Sequence, residues 1–390
     1  MVHNLFCENR THTQTRKCIT KKPLTIKTLT INTIILTGLS SPLAFANEAF
    51  SYQGSVTAIH QHSNEKQIQS NNSLSADLGV YYQAQKGHWH LHLEASSTPN
   101  KRGVAAALPN SNADSGSSLN DRDQGRVQLS ELLYLLNATD RLQISAGLVD
   151  ATFYLDTANI MNDENQNFIS ATLVNNPVID FPDYVIGGAL QYQFTPEIST
   201  RAFISSTHGI ADNNSRNYSS LFEVNEDDKG LFSAIELGYA SNQVFMNAGI
   251  WLHSGEHEPL DNRGDDDLSN YGSYVSAGWQ TAPHQYEIRV GFANPDVSVA
   301  NKFVSAAYQY STNDWNLGLG FSSTTLSTTL EDKFESPAQT AEVYWQKHLT
   351  KQWHITPSVQ WFKKPLYESD NLELDSQIMT ANLRVSYAFE

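Results

Sequence analysis

The residues best suited to metal chemistry in this 390-residue sequence are histidines with acidic neighbours. In the segment HWHLHLE, His88, His90 and His92 alternate with other residues, and Glu94 follows them. On an extended strand these side chains share one face, with about 6 to 7 Å between neighbouring same-face positions. Three imidazoles at that spacing reach one zinc ion only if the strand bends. We therefore predict no metal ion and no other cofactor.

A second histidine group and the known catalytic signatures lead to the same expectation. His253 and His257 flank Glu256 in the wrong order and spacing for a zinc-protease helix. The run DNRGDDD lacks the glycine placement of a calcium-binding loop. The sequence also contains no G-x-S-x-G motif, no glycine-rich phosphate loop and no C-x-x-C pair. These patterns predict that the protein is not an enzyme.

In the segments that position these residues, apolar and polar side chains alternate with period two, which is typical of strands with one apolar face. In the segment WHITPSVQW, the residues on one face are Trp353, Ile355, Pro357, Val359 and Trp361. A soluble sandwich would bury such a stripe in a core. A tryptophan at each end instead indicates a strand that crosses from headgroups through hydrocarbon to headgroups. Nine residues, tilted by about 40°, span on the order of 20 Å, close to the apolar band of an outer membrane.

Sixteen segments follow this pattern, near 50–60, 74–84, 88–96, 127–137, 141–149, 184–194, 198–206, 230–240, 243–252, 271–281, 284–292, 303–311, 314–323, 339–348, 352–361 and 377–389. Short and long connections alternate between them, as periplasmic turns and extracellular loops do in outer-membrane barrels. The predicted fold is all-β: a transmembrane antiparallel β-barrel of 16 strands. Segment 127–137 has the weakest pattern, because its apolar residues occupy both faces and a helix would fit as well.

The first 46 residues predict a removed signal peptide. Six basic residues precede the apolar run LTINTIILTGL, and Ala44-Phe45-Ala46 provides a cleavage site. A transmembrane anchor is the alternative, but about eleven positions interrupted by Thr and Asn are too few to cross a bilayer. We expect residues 47–390 to form one exported barrel domain. Both cysteines, Cys7 and Cys18, lie in the removed segment, so the mature domain has no disulfide.

The net charge limits the choice of partners. The sequence has 25 basic and 41 acidic residues and a formal net charge of -16. Removal of residues 1–46, which contain 6 basic residues and 1 acidic residue, brings the net charge near -21. Nucleic acid is excluded as a partner, because binding it requires Lys and Arg to neutralise phosphates. The acidic runs 223–229 and 255–267 indicate a solvated outer face, or divalent cations that bridge to anionic lipid.

The polar face of the predicted strands would line the interior of the barrel, which at sixteen strands is wide enough to hold water. That face contains Asp77, Glu94, Arg201, Glu236, Glu287, Arg289, Glu342 and Arg384, with Tyr81, Phe203 and Tyr344 among them. Mixed carboxylates and guanidinium groups suit neutral polar solutes with hydroxyl groups, and aromatic faces suit sugar rings. The alternative is that these charges pair with one another and only stabilise the wall.

A 34-residue connection at 150–183 is long even for an external loop, and loops of that length are usually functional. It combines carboxylates and amides with apolar Phe168, Ile169, Leu173 and Val174. Apolar residues gain little in a solvated loop. We therefore expect the loop to fold inward, with Phe168 and Leu173 on the wall and its polar groups toward the channel axis. A plain surface lid is the alternative.

At this point the sequence resembles a known family. The stretches GLVDATFYLD and NDENQNFISATLVNNPVIDFP are similar to the signature loop of the carbohydrate-selective porin family of OprB type. The C-terminal stretches AEVYWQKHLTKQWHITPSVQWFKKP and ANLRVSYAF look like the closing strands of the same family. The likeness covers residues 126–195 and 339–389. One departure is Leu148, at a position where the family commonly has an arginine.

The resemblance implies a sixteen-stranded outer-membrane channel for passive diffusion of mono- or oligosaccharides, narrowed by inward loops. The signature residues carried over by position are Asp150, Asp156, Asn162, Asp163, Glu164, Gln166, Phe168, Asn175, Asn176 and Pro177. A general, weakly cation-selective porin is the alternative suggested by the net charge. An outer-membrane barrel enzyme that acts on lipid is the alternative of another class. The expected partners are small polar solutes and outer-membrane lipids, and the oligomeric state stays open.

Overall fold

The computed structural model describes residues 49–213, 215–225, 229–261, 268–327, 336–365 and 374–390. The predicted signal peptide, residues 1–46, lies outside this described part. The strands in the described ranges are β1 Phe50–Ser63, β2 Asn71–Ala84, β3 Gly87–Ser96, β4 Val127–Asn137, β5 Leu142–Val149, β6 Val185–Gln193, β7 Ile198–Ser206, β8 Leu231–Ala240, β9 Val244–His257, β10 Leu268–Thr281, β11 His284–Ala293, β12 Ala300–Ser311, β13 Trp315–Leu326, β14 Ala338–His348, β15 Trp353–Lys363 and β16 Gln377–Phe389.

These strands form one closed antiparallel barrel in which each strand pairs with its neighbours in sequence and β1 pairs with β16. All sixteen predicted segments are strands, so the predicted fold class is confirmed. Closure leaves no free sheet edge, and every strand backbone can be hydrogen-bonded inside the barrel, as a spanning structure in lipid requires. None of the helices in the described ranges is long and apolar enough to cross a membrane.

The outer face of the barrel is apolar and ends in an aromatic girdle. Large side chains such as Leu237, Ile250 and Val359 project outward and are exposed. Aromatic pairs cluster near the short turns, where ring centroids lie 5.0 Å apart for Trp89 and Tyr134 and 4.8 Å apart for Trp353 and Tyr387. An apolar band bordered by aromatic rings is typical of membrane barrels. The predicted outward orientation of the apolar stripes is therefore confirmed, and the sandwich alternative is excluded.

The 127–137 segment is strand β4, and a β-bulge explains its irregular pattern. His92 of β3 pairs with Glu131, whereas the next residue, Leu93, pairs with Leu129, so Ser130 is an inserted residue. The insertion changes which residues of β4 point inward. Ser130 is the last buried residue of the first alternation, and the buried residues of the second alternation begin with Glu131. Because a bulge changes the parity of a strand, apolar residues occupy both faces in sequence while the strand itself continues.

The interior of the barrel is filled by two long connections that fold inward. Helix α1, Val104–Ala107, lies in the connection 97–126, and helix α2, Ala171–Val174, lies in the connection between β5 and β6. Short 3-10 turns cover Pro109–Ser111, Ala151–Phe153 and Ser220–Phe222. The apolar clusters lie between these connections and the inner wall, not between two sheets.

Candidate functional site

The connection between β5 and β6, residues 150–184, folds into the barrel and is called the constriction loop below. Its apolar residues rest on the inner wall: Phe168 and Leu173 are fully buried, and the Phe168 ring lies 5.0 Å from the Tyr344 ring. Gly320 of β13 lies under this contact. A Cβ atom at Gly320 would be 2.6 Å from Leu173 Cδ1 and 2.8 Å from Phe168 Cε1. The absence of a side chain at Gly320 therefore gives the loop room to pack on the wall.

Glu287 of β11 holds the middle of the constriction loop. Its carboxylate accepts hydrogen bonds from the backbone N–H groups of Asn159 at 2.7 Å, Ile160 at 3.0 Å and Met161 at 3.0 Å. Three donors converge on one side chain that is 3 % exposed. Hydrogen bonds to an ionised, buried carboxylate are among the strong ones, because the acceptor is charged and water does not compete.

Two further glutamates hold the loop on either side of this point. Glu342 of β14 accepts from the backbone N–H groups of Ile169 at 3.2 Å and Ser170 at 2.9 Å. Glu236 of β8 accepts from the backbone N–H of Asp156 at 2.9 Å. The three wall glutamates together therefore bind donors along the whole inward segment of the loop.

Arginines of the wall complement the glutamates by donating to loop carbonyl groups. Arg289 donates to the carbonyl oxygens of Val174 at 2.8 Å and Asp156 at 3.0 Å. Arg384 donates to the carbonyl oxygen of Glu164. In these hydrogen bonds the loop contributes backbone atoms, and Arg289 Nε lies in addition 3.4 Å from the side-chain carboxylate of Asp156.

The residues predicted to line the lumen point inward, but most of them lie beneath the constriction loop. Those buried beneath it are Glu236, Glu287, Glu342, Tyr344 and Arg384, and the partly exposed Arg201 contacts the loop at Tyr154 and Thr157. Arg289 reaches the open cavity as well as the loop. Among the described lumen residues, mutual pairing is seen between Arg201 and Glu236, whose Nη1 and Oε1 atoms lie 2.8 Å apart. The covered side chains contact the loop, and their direct contact with a passing solute stays a prediction.

The open interior is a cavity of about 2460 Å³. Most of the predicted constriction residues border it, namely Asp150, Asp156, Asn162, Asp163, Glu164, Gln166, Asn175 and Asn176. Phe168 does not border it, because its ring packs against the wall. Tyr81, Glu94 and Asp77 border the cavity from β2 and β3, whereas Phe203 is buried in an apolar cluster. The described cavity surface thus consists largely of loop side chains.

The cavity surface is strongly acidic. Among the described residues that line it, fourteen are Asp or Glu, and three are basic: Lys101, Arg216 and Arg289. Burial, together with neighbouring carboxyl groups, raises the pKa values of several loop carboxyls. Burial, with a further contribution from neighbouring Asp114 and Asp163, raises the pKa of Glu164 to about 8. Burial raises the pKa of Asp156 to about 6, although the Arg289 guanidinium opposes the shift.

The connection 97–126 is a second inward loop that the sequence reading did not assign to the site. Its Asp114 carboxylate accepts from Ser75 Oγ at 2.7 Å, and burial raises the pKa of this carboxyl to about 6. The two loops contact each other, because Ala113 N–H donates to the carbonyl oxygen of Ile169 at 2.8 Å. The apolar run VAAAL at 104–108 could have predicted this second inward loop, since apolar residues in a polar loop indicate packing against the wall.

A closed membrane barrel with an open, loop-narrowed interior defines a porin. The chain matches the model of the carbohydrate-selective porin, OprB family, over residues 96–381. The protein therefore belongs to this family, and family and fold together indicate the bacterial outer membrane. The earlier resemblance is confirmed by this match.

Two solved structures share the fold. The structure resembles that of Pseudomonas putida OprB with a TM-score of 0.67 and 13% identity, covering 87% of this chain and 94% of that one. It also resembles Salmonella typhi OmpF, with a TM-score of 0.56 and 11% identity over 87% of this chain and 97% of that chain. An uncharacterised protein of Aquifex aeolicus is 27% identical over 187 residues, which is 44% of this chain and 57% of that protein. The match thus spans little more than half of that relative.

Filling the space under the loop is expected to widen the channel. In Gly320→Val, the added methyl groups overlap the positions of Phe168 and Leu173, so the constriction loop cannot pack on β13. We expect a higher single-channel conductance in planar bilayers. Gly79→Ala is the matched control, because the atoms nearest to a Cβ there belong to the side chains of Tyr81, at 3.3 Å, and Gln53, at 3.6 Å, and not to the loop. A folded Gly320→Val barrel with unchanged conductance would contradict this role for Gly320.

Proposed function

We propose that this protein is a passive outer-membrane channel for carbohydrates and similar small polar solutes. One observation supports the proposal above all: the closed barrel encloses an open cavity bordered by carboxylate and amide side chains of an inward loop. Carboxylates accept hydrogen bonds from sugar hydroxyl groups, and amides both donate and accept. Family membership agrees with this substrate class. Solutes move down their concentration gradient, and the channel requires no cofactor.

The proposed solute path runs along the exposed polar edge of the constriction loop. Asp163, Glu164 and Gln166 form the central part of this edge, with Asn162 before them and Asn175 and Asn176 on the returning limb. Arg289 faces the same space from the wall. The covered wall residues Glu236, Glu287, Glu342 and Arg384 act indirectly, since they hold the loop that presents these groups.

A second candidate is a general porin that favours cations. The specific observation in its favour is the acidic cavity surface, on which fourteen carboxyl residues face three basic residues in the described part of the chain. Excess negative charge in a low-dielectric wall attracts cations and repels anions. Leu148, in place of the arginine common in the family, agrees with this charge balance. Neither candidate includes a catalytic step, and both include export through the N-terminal segment 1–46 as a cleaved signal peptide.

Conductance measurements in planar bilayers with added sugars test the proposal. We expect steady unitary currents that decrease in a concentration-dependent way when mono- or oligosaccharides enter the cavity. Polyethylene glycol too large to enter is the control, because it changes bulk viscosity without occupying the constriction. Cation-selective current that no sugar reduces would favour the general porin, and a folded barrel without any conductance would contradict both candidates.

A further inference from the structure

Three residues at the end of the barrel where the long loops emerge lie close together although the sequence separates them. Asp180 belongs to the returning limb of the constriction loop, and His253 and His257 belong to β9. Positions four apart on a regular strand are separated by about 13 Å. Here the two imidazole centroids lie only 4.6 Å apart. The backbone of β9 must therefore depart from regular geometry at this point.

A β-bulge produces this close approach. His253 pairs with Asn270 and His257 pairs with Leu268, so four steps along β9 face only two steps along β10. The extra residues on β9 fold out of the ladder and shorten the distance between the two histidines. Bulges of this kind frequently occur next to functional sites, where they redirect a side chain.

The ligand atoms of Asp180, His253 and His257 all lie within 4.8 Å of one another. His257 Nε2 is 2.9 Å from Asp180 Oδ2. The opposite nitrogen, His257 Nδ1, is 2.8 Å from the Gly255 carbonyl oxygen. Because a carbonyl only accepts, Nδ1 bears the proton in this contact, and Nε2 is the nitrogen directed at the cluster.

The carboxylate is also oriented by its surroundings. Asn270 Nδ2 donates to Asp180 Oδ2 at 3.0 Å, and Ser298 Oγ donates to Asn270 Oδ1 at 2.9 Å. Such outer contacts to a carboxylate and to the second nitrogen of a histidine are typical of metal sites, where they fix ligand orientation. Two independent features, the bulge and these outer contacts, thus converge on the same three side chains.

We propose that Asp180, His253 and His257 bind a divalent transition-metal ion, with zinc as the best fit. Two imidazoles and one carboxylate are a common zinc ligand set, whereas calcium and magnesium prefer oxygen ligands alone. Zinc takes the place of the proton between His257 Nε2 and Asp180, and a fourth position is left for water. His253 and His257 border the cavity, so the ion enters from the channel. Once bound, it ties the returning limb of the constriction loop to β9.

A second cluster in the described residues, Asp77, His92 and Glu94, is a weaker candidate. It has one imidazole and two carboxylates, so it offers fewer of the nitrogen ligands that distinguish zinc sites from calcium and magnesium sites. The experiment must therefore distinguish the two clusters.

Isothermal titration of the detergent-solubilised, EDTA-treated full-length barrel with zinc chloride tests the proposal. We expect one saturable site whose affinity falls roughly tenfold or more in His257→Ala and in Asp180→Asn. His208→Ala is the matched control, since His208 borders the same cavity outside the cluster, and His92→Ala probes the second cluster. Both controls are expected to bind as the parent does. Asp180→Asn keeps the shape of the side chain, and heat-modified gel mobility verifies that each variant is a folded barrel.

Three outcomes would overturn the proposal. The first is unchanged zinc affinity in folded His257→Ala and Asp180→Asn barrels. The second is loss of binding in His92→Ala alone, which would assign the zinc to the other cluster. The third is equal affinity for calcium chloride, which would indicate a carboxylate site without the imidazoles. Because binding is measured without any solute, the result is independent of what the channel transports.

Discussion

The double variant Glu287→Gln, Glu342→Gln is expected to conduct several-fold more current than the parent barrel. The two carboxylates accept hydrogen bonds from five loop N–H groups, those of Asn159, Ile160, Met161, Ile169 and Ser170. A hydrogen bond to a charged group contributes about 1.5 to 3 kcal/mol. A glutamine amide offers one oxygen and directs its NH2 group at the remaining donors, so several bonds are lost together. The constriction loop should then leave the wall and open the channel.

Single-channel recording in planar bilayers measures this effect. Glu197→Gln is the matched control, because Glu197 is an exposed residue at a short turn and its side chain accepts a hydrogen bond from Thr195, not from the constriction loop. The single variants should give intermediate conductance. A folded double variant with the conductance of the parent would mean that the apolar contacts of Phe168 and Leu173 hold the loop without the glutamates.

The second prediction concerns charge. Replacing Asp163 and Glu164 by Asn and Gln should reduce the dependence of cation preference on pH between pH 6 and 9. Burial, together with the Asp114 and Asp163 carboxyls, raises the pKa of Glu164 to about 8, so this group gains its charge within that interval. Burial also raises the pKa of Asp163, against two backbone N–H groups that lower it. The parent channel should therefore become more cation-selective as pH rises through about 8.

The reversal potential in a potassium chloride gradient measures this selectivity.

The same pKa shift has a consequence for stability. A carboxyl whose pKa is raised in the folded state stabilises the fold fully below its unfolded pKa, and this contribution is lost as pH rises through about 8. The loop should accordingly be held less firmly at pH 9 than at pH 4, and Glu164→Gln should reduce that difference. In the reversal-potential measurement, Asp123→Asn is the control, since Asp123 borders the cavity but pairs with exposed Lys101. A reversal potential that shifts equally with pH in the Asp163, Glu164 double variant would exclude these carboxyls as the cause.

Most of the fold follows from the period-two pattern, because one face of each strand contacts lipid and the other does not. The pattern was ambiguous at β4, where the insertion of Ser130 moves apolar residues to the other face. Periodicity assumes regular strands, and a bulge is determined by tertiary pairing that no local pattern reveals. The same limit explains why the close approach of His253 and His257 was not predicted, because four positions along a regular strand would separate them.

The site was predictable to the extent that it depends on composition. Apolar Phe168 and Leu173 within a polar loop correctly indicated that the loop packs on the wall. The role of Glu287 and Glu342 was not visible, because their partners are backbone N–H groups more than 120 residues away in one case and 170 in the other. A backbone donor has no sequence signature. An inward glutamate that binds a loop is therefore indistinguishable, in sequence, from one that faces a solute.

The backbone attachment of the constriction loop separates two tasks that one segment would otherwise have to combine. Glutamates and arginines of the wall recognise main-chain atoms that every amino acid provides, so side chains at the cavity edge can be exchanged while the loop stays in position. Point mutations at the cavity edge can thus change the solute preference of the channel while the fold stays the same. The same property makes positions such as Asn162, Gln166 and Asn175 natural sites for laboratory diversification of the pore.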